Sequence, residues 1–170
     1  VRPSVRITHG DLTKESVDAV VNAANQKMLG GGGVDGAIHR AAGPALLDAC
    51  RALPEVRPGV RCPTGDARIT PGFELSARYV IHAVGPVYSG RPRDAALLAS
   101  AFRSSLELAV EHRLGTVAFP AISCGVYGYP LDEASAISRQ VVEERPWRLE
   151  EIRFVLFSEE VLSAWRRAFT

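Results

Sequence analysis

Cysteine is scarce in this chain: three occur, Cys50, Cys62 and Cys124, and no two form a C-x-x-C pair. An odd number without paired spacing argues against a disulfide framework and against a cysteine-built zinc site. It points instead to a reducing, cytoplasmic setting. Long apolar runs are missing too. Nothing approaches the roughly 20 residues that cross a bilayer, so no membrane partner is expected. The opening VRPSVRITHGDLT has no apolar segment of the kind a secretory signal carries. Net charge is nearly absent, since 20 Lys and Arg against 19 Asp and Glu leave +1. Such a chain has no whole-molecule field to draw in nucleic acid or acidic membranes, and an anionic partner must be held by a local device. Scattered arginines and only 7% aromatic residues disfavour a general nucleic-acid-binding surface.

What is present is ordinary globular material. With 46% hydrophobic and 23% charged residues in a length of 170, residues 1–170 read as a single domain with a substantial core. Short β-branched or aromatic runs bounded by turn residues predict strands at Val5–Ile7, Ala19–Val21, Ala67–Thr70, Tyr79–Val84, Thr116–Phe119 and Arg153–Phe157. Helical periodicity fills the intervals. Val34–Ala42 and Pro44–Ala52 form a broken pair, and Leu98, Phe102, Leu106, Ala109 and Val110 mark a long helix that Gly115 is expected to stop. Leu131–Glu144 carries Asp132 and Glu133 in its first turn, and a last helix opens at Ser158, Glu159 and Glu160. The strands are apolar at nearly every position, as when helices cover both faces of a sheet. The expected fold class is therefore α/β, a three-layer α/β/α domain around a sheet of about six strands.

In open sheets of this type, ligands bind at the loops leaving the carboxyl ends of strands. GDLT, the NAAN–glycine segment and ISCGVYGYP all leave such ends and should converge on one rim. The run Gly30–Gly33 directly precedes VDGAIHRAAG, and Ser123, Gly125, Val126 and Gly128 precede another helix. Backbone N–H groups near a helix N-terminus cradle phosphate, and glycine lets the anion come close. A flexible linker is the plain alternative, but core-like segments flank the run on both sides. Gly31, Gly33 and Gly36 satisfy G-x-G-x-x-G, yet Asn22–Leu29 intervenes between strand and helix, unlike a dinucleotide fingerprint, and a Walker loop is excluded by the absence of G-K-[ST]. The residues alone thus give a phosphate-cradling pocket with Asp35 beside it.

NAANQKMLGGGGVDGAIHRAAGP resembles the signature of MacroD-type macrodomains, and GDLTKESVDAVVNAAN, CPTGDARIT, YVIHAVGP, VAFPAISCGVYGYP and FVLFSEE extend the resemblance over nearly the whole chain. The resemblance implies a mixed sheet sandwiched by helices and a cleft for ADP-ribose. It implies hydrolysis of ADP-ribose esters on Asp or Glu side chains of ADP-ribosylated proteins, and deacetylation of O-acetyl-ADP-ribose. ADP-ribosylated nucleic-acid ends share the same handle and stay open as substrates, as does a non-catalytic reader of the modification. No cofactor and no metal are expected, because no set of metal ligands occurs at plausible spacing and the extra Cys and His ligands of the zinc-dependent subgroup are missing.

Carried over by position, Asp11 would accept from the adenine amino group beside the backbone N–H of Leu12; the alternative for Asp11 is a turn cap. Phe157 would pack on adenine, or else in the core. Asn25 and Asp35 would form the catalytic pair, the amide orienting the distal ribose and the carboxylate polarising a water. Asp35 equally suits a helix cap. Asn22 belongs to the binding segment and is expected to shape its loop through side-chain-to-backbone bonds. Gly31, Gly32, Gly33 and Val34 would wrap the distal ribose and diphosphate, opposite Ser123, Cys124, Gly125, Val126 and Tyr127. Cys124 and Tyr127 stand where the family commonly has Thr and Phe. Cys124 has no His nearby in sequence and reads as an inert thiol, while the Tyr127 hydroxyl could reach a water or leaving group. His39 and His82 read as core residues, and His9 and His112 as peripheral.

Overall fold

A computed structural model describes every residue from Val1 to Thr170. Strands β1 (Ser4–His9), β2 (Ala19–Ala23), β3 (Ala67–Pro71), β4 (Tyr79–Ala83), β5 (Thr116–Phe119) and β6 (Glu151–Leu156) alternate with helices α1 (Gly33–Ala42), α2 (Pro44–Arg51), α3 (Arg93–Glu111), α4 (Leu131–Glu143) and α5 (Glu159–Ala168). The six strands form one sheet in the order β1-β6-β5-β2-β4-β3. All neighbours are parallel except β3 and β4, so the sheet is mixed.

The period-2 alternation of the strands builds two cores on opposite faces. Val21 and Ile81 join Val117, Phe119, Ile152 and Phe154 beneath α3, α4 and α5, whose Leu98, Phe102, Leu106, Val141, Leu162 and Trp165 complete a cluster of 25 buried residues. Val20 and Val80 point the other way, with Ala118 and Val155, and meet Ile38, Ala42, Leu46 and Cys50 of α1 and α2 in a cluster of 16. This is the physical content of the three layers: a strand buried on both sides must be apolar on both sides. Each large side chain so buried contributes about 1.5–3 kcal/mol.

Element ends follow local chemistry. Gly43, at φ +86, separates α1 from α2, and Pro44 opens the second. Ser158 caps α5 by accepting from the Val161 N–H, with Glu159 and Glu160 in the first turn. Three expectations shift. The long helix ends at Glu111 rather than running to Gly115, because Arg113 takes φ +55 and Leu114 N–H turns back to the Ala109 carbonyl. β2 continues through Ala23, which places Asn22 inside the sheet and not in the loop after it. β6 stops at Leu156, leaving Phe157 just beyond the strand.

Candidate functional site

The loops leaving the carboxyl ends of β1, β2, β5 and β6 do meet on one rim, and between them lies a cleft with two lobes. The larger, about 510 Å³, is lined by Gly10–Thr13 after β1, Gly33 and Val34 at the start of α1, Ala121, Cys124 and Gly125 after β5, and Phe157 after β6. The smaller, about 170 Å³, is lined by Asn25, Gly32, Asp35, Gly85, Ser123, Val126 and Tyr127 among others. Gly33, Val34, Ala121 and Gly125 line both, so the lobes join where the two glycine-bearing loops approach each other. The larger lobe falls in the usual size range of small-molecule sites.

The first loop is held open by its own bonds. Gly30 and Gly33 adopt φ +91 and +57, conformations that glycine takes without steric cost. Asn25 braces the turn: its Nδ2 donates to the Gly30 carbonyl (3.1 Å) and its Oδ1 accepts from the Met28 N–H (3.0 Å). In the second loop Ser123 takes φ +68, and its hydroxyl donates to the Pro86 carbonyl at 2.7 Å. Tyr88 N–H reaches the Tyr127 carbonyl at 2.9 Å, tying this loop to the segment after β4.

Asp35 sits in the first turn of α1, where the helix N-terminus favours negative charge. It is not the cap; that position is Gly32, and Asp35 is buried at 5% exposure. Its Oδ1 accepts from Asn22 Nδ2 at 2.8 Å and lies 3.4 Å from His39 Nε2. Burial raises the Asp35 pKa above its ordinary value, opposed by the Asn22 bond and by the charge of His39. A Cβ built on Gly31 would stand 3.1 Å from Oδ2, so that second oxygen faces the glycine loop.

At the far end, Asp11 caps the short 3-10 turn Leu12–Lys14, its Oδ1 accepting from both the N–H (3.0 Å) and the hydroxyl (2.7 Å) of Thr13. Those bonds, the hydroxyl first, hold its carboxyl below the usual range. The cap and the cleft-lining position coexist, since the carboxylate remains exposed. Phe157 is 86% exposed at the mouth of the larger lobe and takes no part in the core. Val126, which lines the smaller lobe, is fully exposed. Cys124 borders the larger lobe with its thiol pushed up to about 12 by burial, which removes its reactivity at neutral pH.

Two sequence expectations change. Asn22 does not line the cleft or bond to backbone in its loop; it is wholly buried in β2, and its amide reaches Asp35 side chain to side chain. Gly31 is likewise not among the residues that border either lobe; it is exposed beside the smaller one, with Asp35 Oδ2 and Asn25 Nδ2 as its nearest side-chain atoms. Leu12, Gly32, Gly33, Val34, Ser123, Cys124, Gly125, Val126, Tyr127 and Phe157 all line one lobe or the other. His39, read from the sequence as a core residue, is instead only partly buried and lies at ion-pair distance from Asp35. Its spacing four residues after Asp35 on a helix was the available signal. Gly85 and Arg40 also line the cleft without having been singled out. No group of His, Cys, Asp and Glu side chains in the structure is arranged to hold a metal ion, and no helix is long and apolar enough to cross a membrane.

Comparison with known proteins places this cleft in context. The macro domain family matches residues 21–138, which include the glycine-rich first loop and the second loop. A macro domain-containing protein of Vibrio parahaemolyticus is 54% identical over 167 residues, 98% of this chain and 98% of that one. One from Xanthomonas axonopodis is 52% identical over 96% of this chain and 94% of its own length. Among solved structures, an Oceanobacillus iheyensis macrodomain with ADP is 45% identical, covers 95% of this chain and 87% of that one, and superposes with a TM-score of 0.87. A Trypanosoma brucei macrodomain in complex with ADP-ribose is 38% identical, covers all of this chain and 75% of that one, and has the same TM-score of 0.87. Sequence and fold agree, and the chain belongs to the macro domain family.

Proposed function

We propose that this protein binds ADP-ribose in the two-lobed cleft and hydrolyses mono-ADP-ribose esters, releasing ADP-ribose from Asp and Glu side chains of modified proteins. The observation that carries the reading is the buried Asp35 carboxylate, fixed through Oδ1 at the edge of the smaller lobe while Oδ2 faces the glycine loop. ADP and ADP-ribose in the complexes of the Oceanobacillus and Trypanosoma relatives support the choice of ligand. In this arrangement Phe157 and the Asp11 carboxylate take adenine at the larger lobe. The glycine-bearing loops take the diphosphate where the lobes join, and the distal ribose enters the smaller lobe beside Asn25, Asp35 and Tyr127. The backbone N–H groups at the start of α1 and its dipole supply the attraction that a net charge of +1 does not.

Ionised Asp35 accepts a proton from a water held between Oδ2 and the ligand. The water oxygen bonds to the anomeric carbon as its bond to the ester oxygen breaks, or to the ester carbonyl as the acyl–oxygen bond breaks; Asp35 returns the proton to the departing oxygen, and the products are ADP-ribose and the carboxylic acid. O-acetyl-ADP-ribose presents the same ester and would give ADP-ribose and acetate; a phosphate-linked ADP-ribose on a nucleic-acid end would enter by the same handle. The raised pKa makes the carboxylate a stronger base than a solvated Asp. No cofactor is required by this chemistry. The deciding experiment is a time course of ADP-ribose release from Glu/Asp-, Ser- and Arg-linked substrates with wild type and Asp35→Ala. Release from the Glu/Asp ester by wild type only, with ADP-ribose affinity of the variant little changed, is expected. Wild type that binds ADP-ribose and releases none would make the protein a reader of the modification.

A further inference from the structure

A line of buried polar side chains runs inward from Asp35 across the sheet, and the chemistry above makes no use of it. Asn22 on β2 and His82 on β4 are register partners, at 0% and 1% exposure. Asn22 Nδ2 lies 3.1 Å from His82 Nδ1, and His82 Nε2 lies 2.9 Å from Thr70 Oγ1 on β3. Thr70, 4% exposed, donates onward to the Pro71 carbonyl at 3.2 Å. Three adjacent strands thus each place one polar residue on the sheet face that also carries Val20 and Val80 and packs against Ile38 of α1 and Leu46 of α2.

Hydrogen-bond polarity fixes the state of every member. Ionised Asp35 is acceptor-only, so Asn22 must present its NH2 group to it. The second hydrogen of that group then points at His82 Nδ1, which must be unprotonated to accept it. His82 is therefore neutral and carries its proton on Nε2, which donates to Thr70 Oγ1. Burial supports the neutral ring by holding its pKa down to about 3. Turning the Asn22 amide over would set its oxygen against both the Asp35 carboxylate and the His82 lone pair. Asn22 Oδ1 is in fact buried without any partner, so the amide is held entirely by its NH2 end. The other groups facing this line are His39 on α1, 3.4 Å from Asp35 Oδ1, and the Cys50 thiol on α2, 3.9 Å from His82 Nε2. Cys50 is a weak acceptor at a longer distance and does not displace Thr70.

We propose that Thr70, His82 and Asn22 form a positioning relay that fixes the tautomer of His82, thereby aims the Asn22 amide at Asp35 Oδ1, and so keeps Asp35 ionised with Oδ2 turned to the substrate. None of the three touches the cleft. Their role in turnover rests on the hydrolase reading, but the relay itself is observable without turnover.

The test uses the whole chain with Thr70→Val, Thr70→Ser and Asn22→Leu. Nitrogen NMR of His82 in wild type is expected to show a neutral ring protonated on Nε2 throughout pH 5–8. Carboxyl-carbon NMR should show Asp35 titrating at higher pH in Thr70→Val and Asn22→Leu than in wild type, with Thr70→Ser restored. In the release assay, kcat of Thr70→Val and Asn22→Leu should fall about ten- to a hundredfold, the loss of a hydrogen bond to a charged group. The acid limb of the pH profile should move upward and ADP-ribose affinity should stay within about twofold. A His82 ring protonated on Nδ1, or an Asp35 titration unmoved by Thr70→Val, would overturn the relay whatever the protein hydrolyses. Wild type without release, but with the expected NMR signatures, would overturn the hydrolase reading and leave the relay standing.

Discussion

Gly85 offers the sharpest test of how the cleft is held. It follows β4 in the segment Val84–Pro86, and a Cβ placed there would lie 2.2 Å from Ser123 Oγ and 2.5 Å from Ile122 Cγ2. Neither atom can simply swing away. Ser123 is 5% exposed, sits at φ +68 and is tied by its hydroxyl to the Pro86 carbonyl at 2.7 Å, while Ile122 is fully buried. Gly85→Ala must therefore push the second loop out. Overpacking of this kind costs about 1–3 kcal/mol, and losing the Ser123 hydrogen bond adds about 1 kcal/mol. The sum, about 2–4 kcal/mol, lowers Tm by about 4–16 °C in a chain of this size. Because the displaced loop lines both lobes through Gly125, ADP-ribose affinity should fall by about tenfold or more, as expected for a misplacement on the scale of an ångström. Thermal melts and calorimetric titration with ADP-ribose measure both. Adding Ser123→Ala removes the nearer clash, so the double variant should lose less than the sum of the single losses. A Gly85→Ala protein with wild-type Tm and wild-type affinity would refute the idea that this contact sets the loop.

Three further outcomes follow from the same geometry. Phe157→Ala should weaken ADP-ribose binding by about 1–3 kcal/mol, the worth of one base stacked on an aromatic ring, while leaving Tm unchanged because the side chain is 86% exposed; calorimetry and melts separate the two effects. Asp35→Asn should change stability with a definite pH dependence. The folded pKa of Asp35 is raised, so wild type holds its proton more tightly folded than unfolded and loses stability as pH rises from about 3.9 through the folded value. The Tm of Asp35→Asn relative to wild type should therefore grow over that range and then level off, and a difference that shrinks with pH would contradict the raised pKa. Cys124, with its thiol near 12, should resist iodoacetamide at pH 8 in the folded protein, and Cys124→Thr should retain ADP-ribose binding; rapid alkylation in the native state would show the thiolate to be accessible.

Much of this was legible in the sequence because the signals are local. Apolar strands between periodic helices announce a covered sheet, and all six strands and five helices occur where those patterns fall. The loops at the strand ends carry their glycines in plain view, and the order of the motifs names the rim on which they meet. What depends on register between distant strands was not legible. Asn22 and Asn25 both belong to NAAN, and nothing in that tetrapeptide tells which amide will meet Asp35. Two further residues of β2 decide it: they carry Asn22 into the sheet beside His82, with its amide toward α1, and leave Asn25 to brace the turn. Gly85 and Ser123 lie far apart in the chain, and the need for a glycine appears only once two loops are pressed together. The sequence by itself determined the elements, the layers and the rim, because backbone preference and hydrophobic period are properties of short segments. Only the tertiary structure decided which side chain holds the carboxylate and which glycine admits the neighbouring loop, because those depend on the pairing of strands that the chain visits far apart.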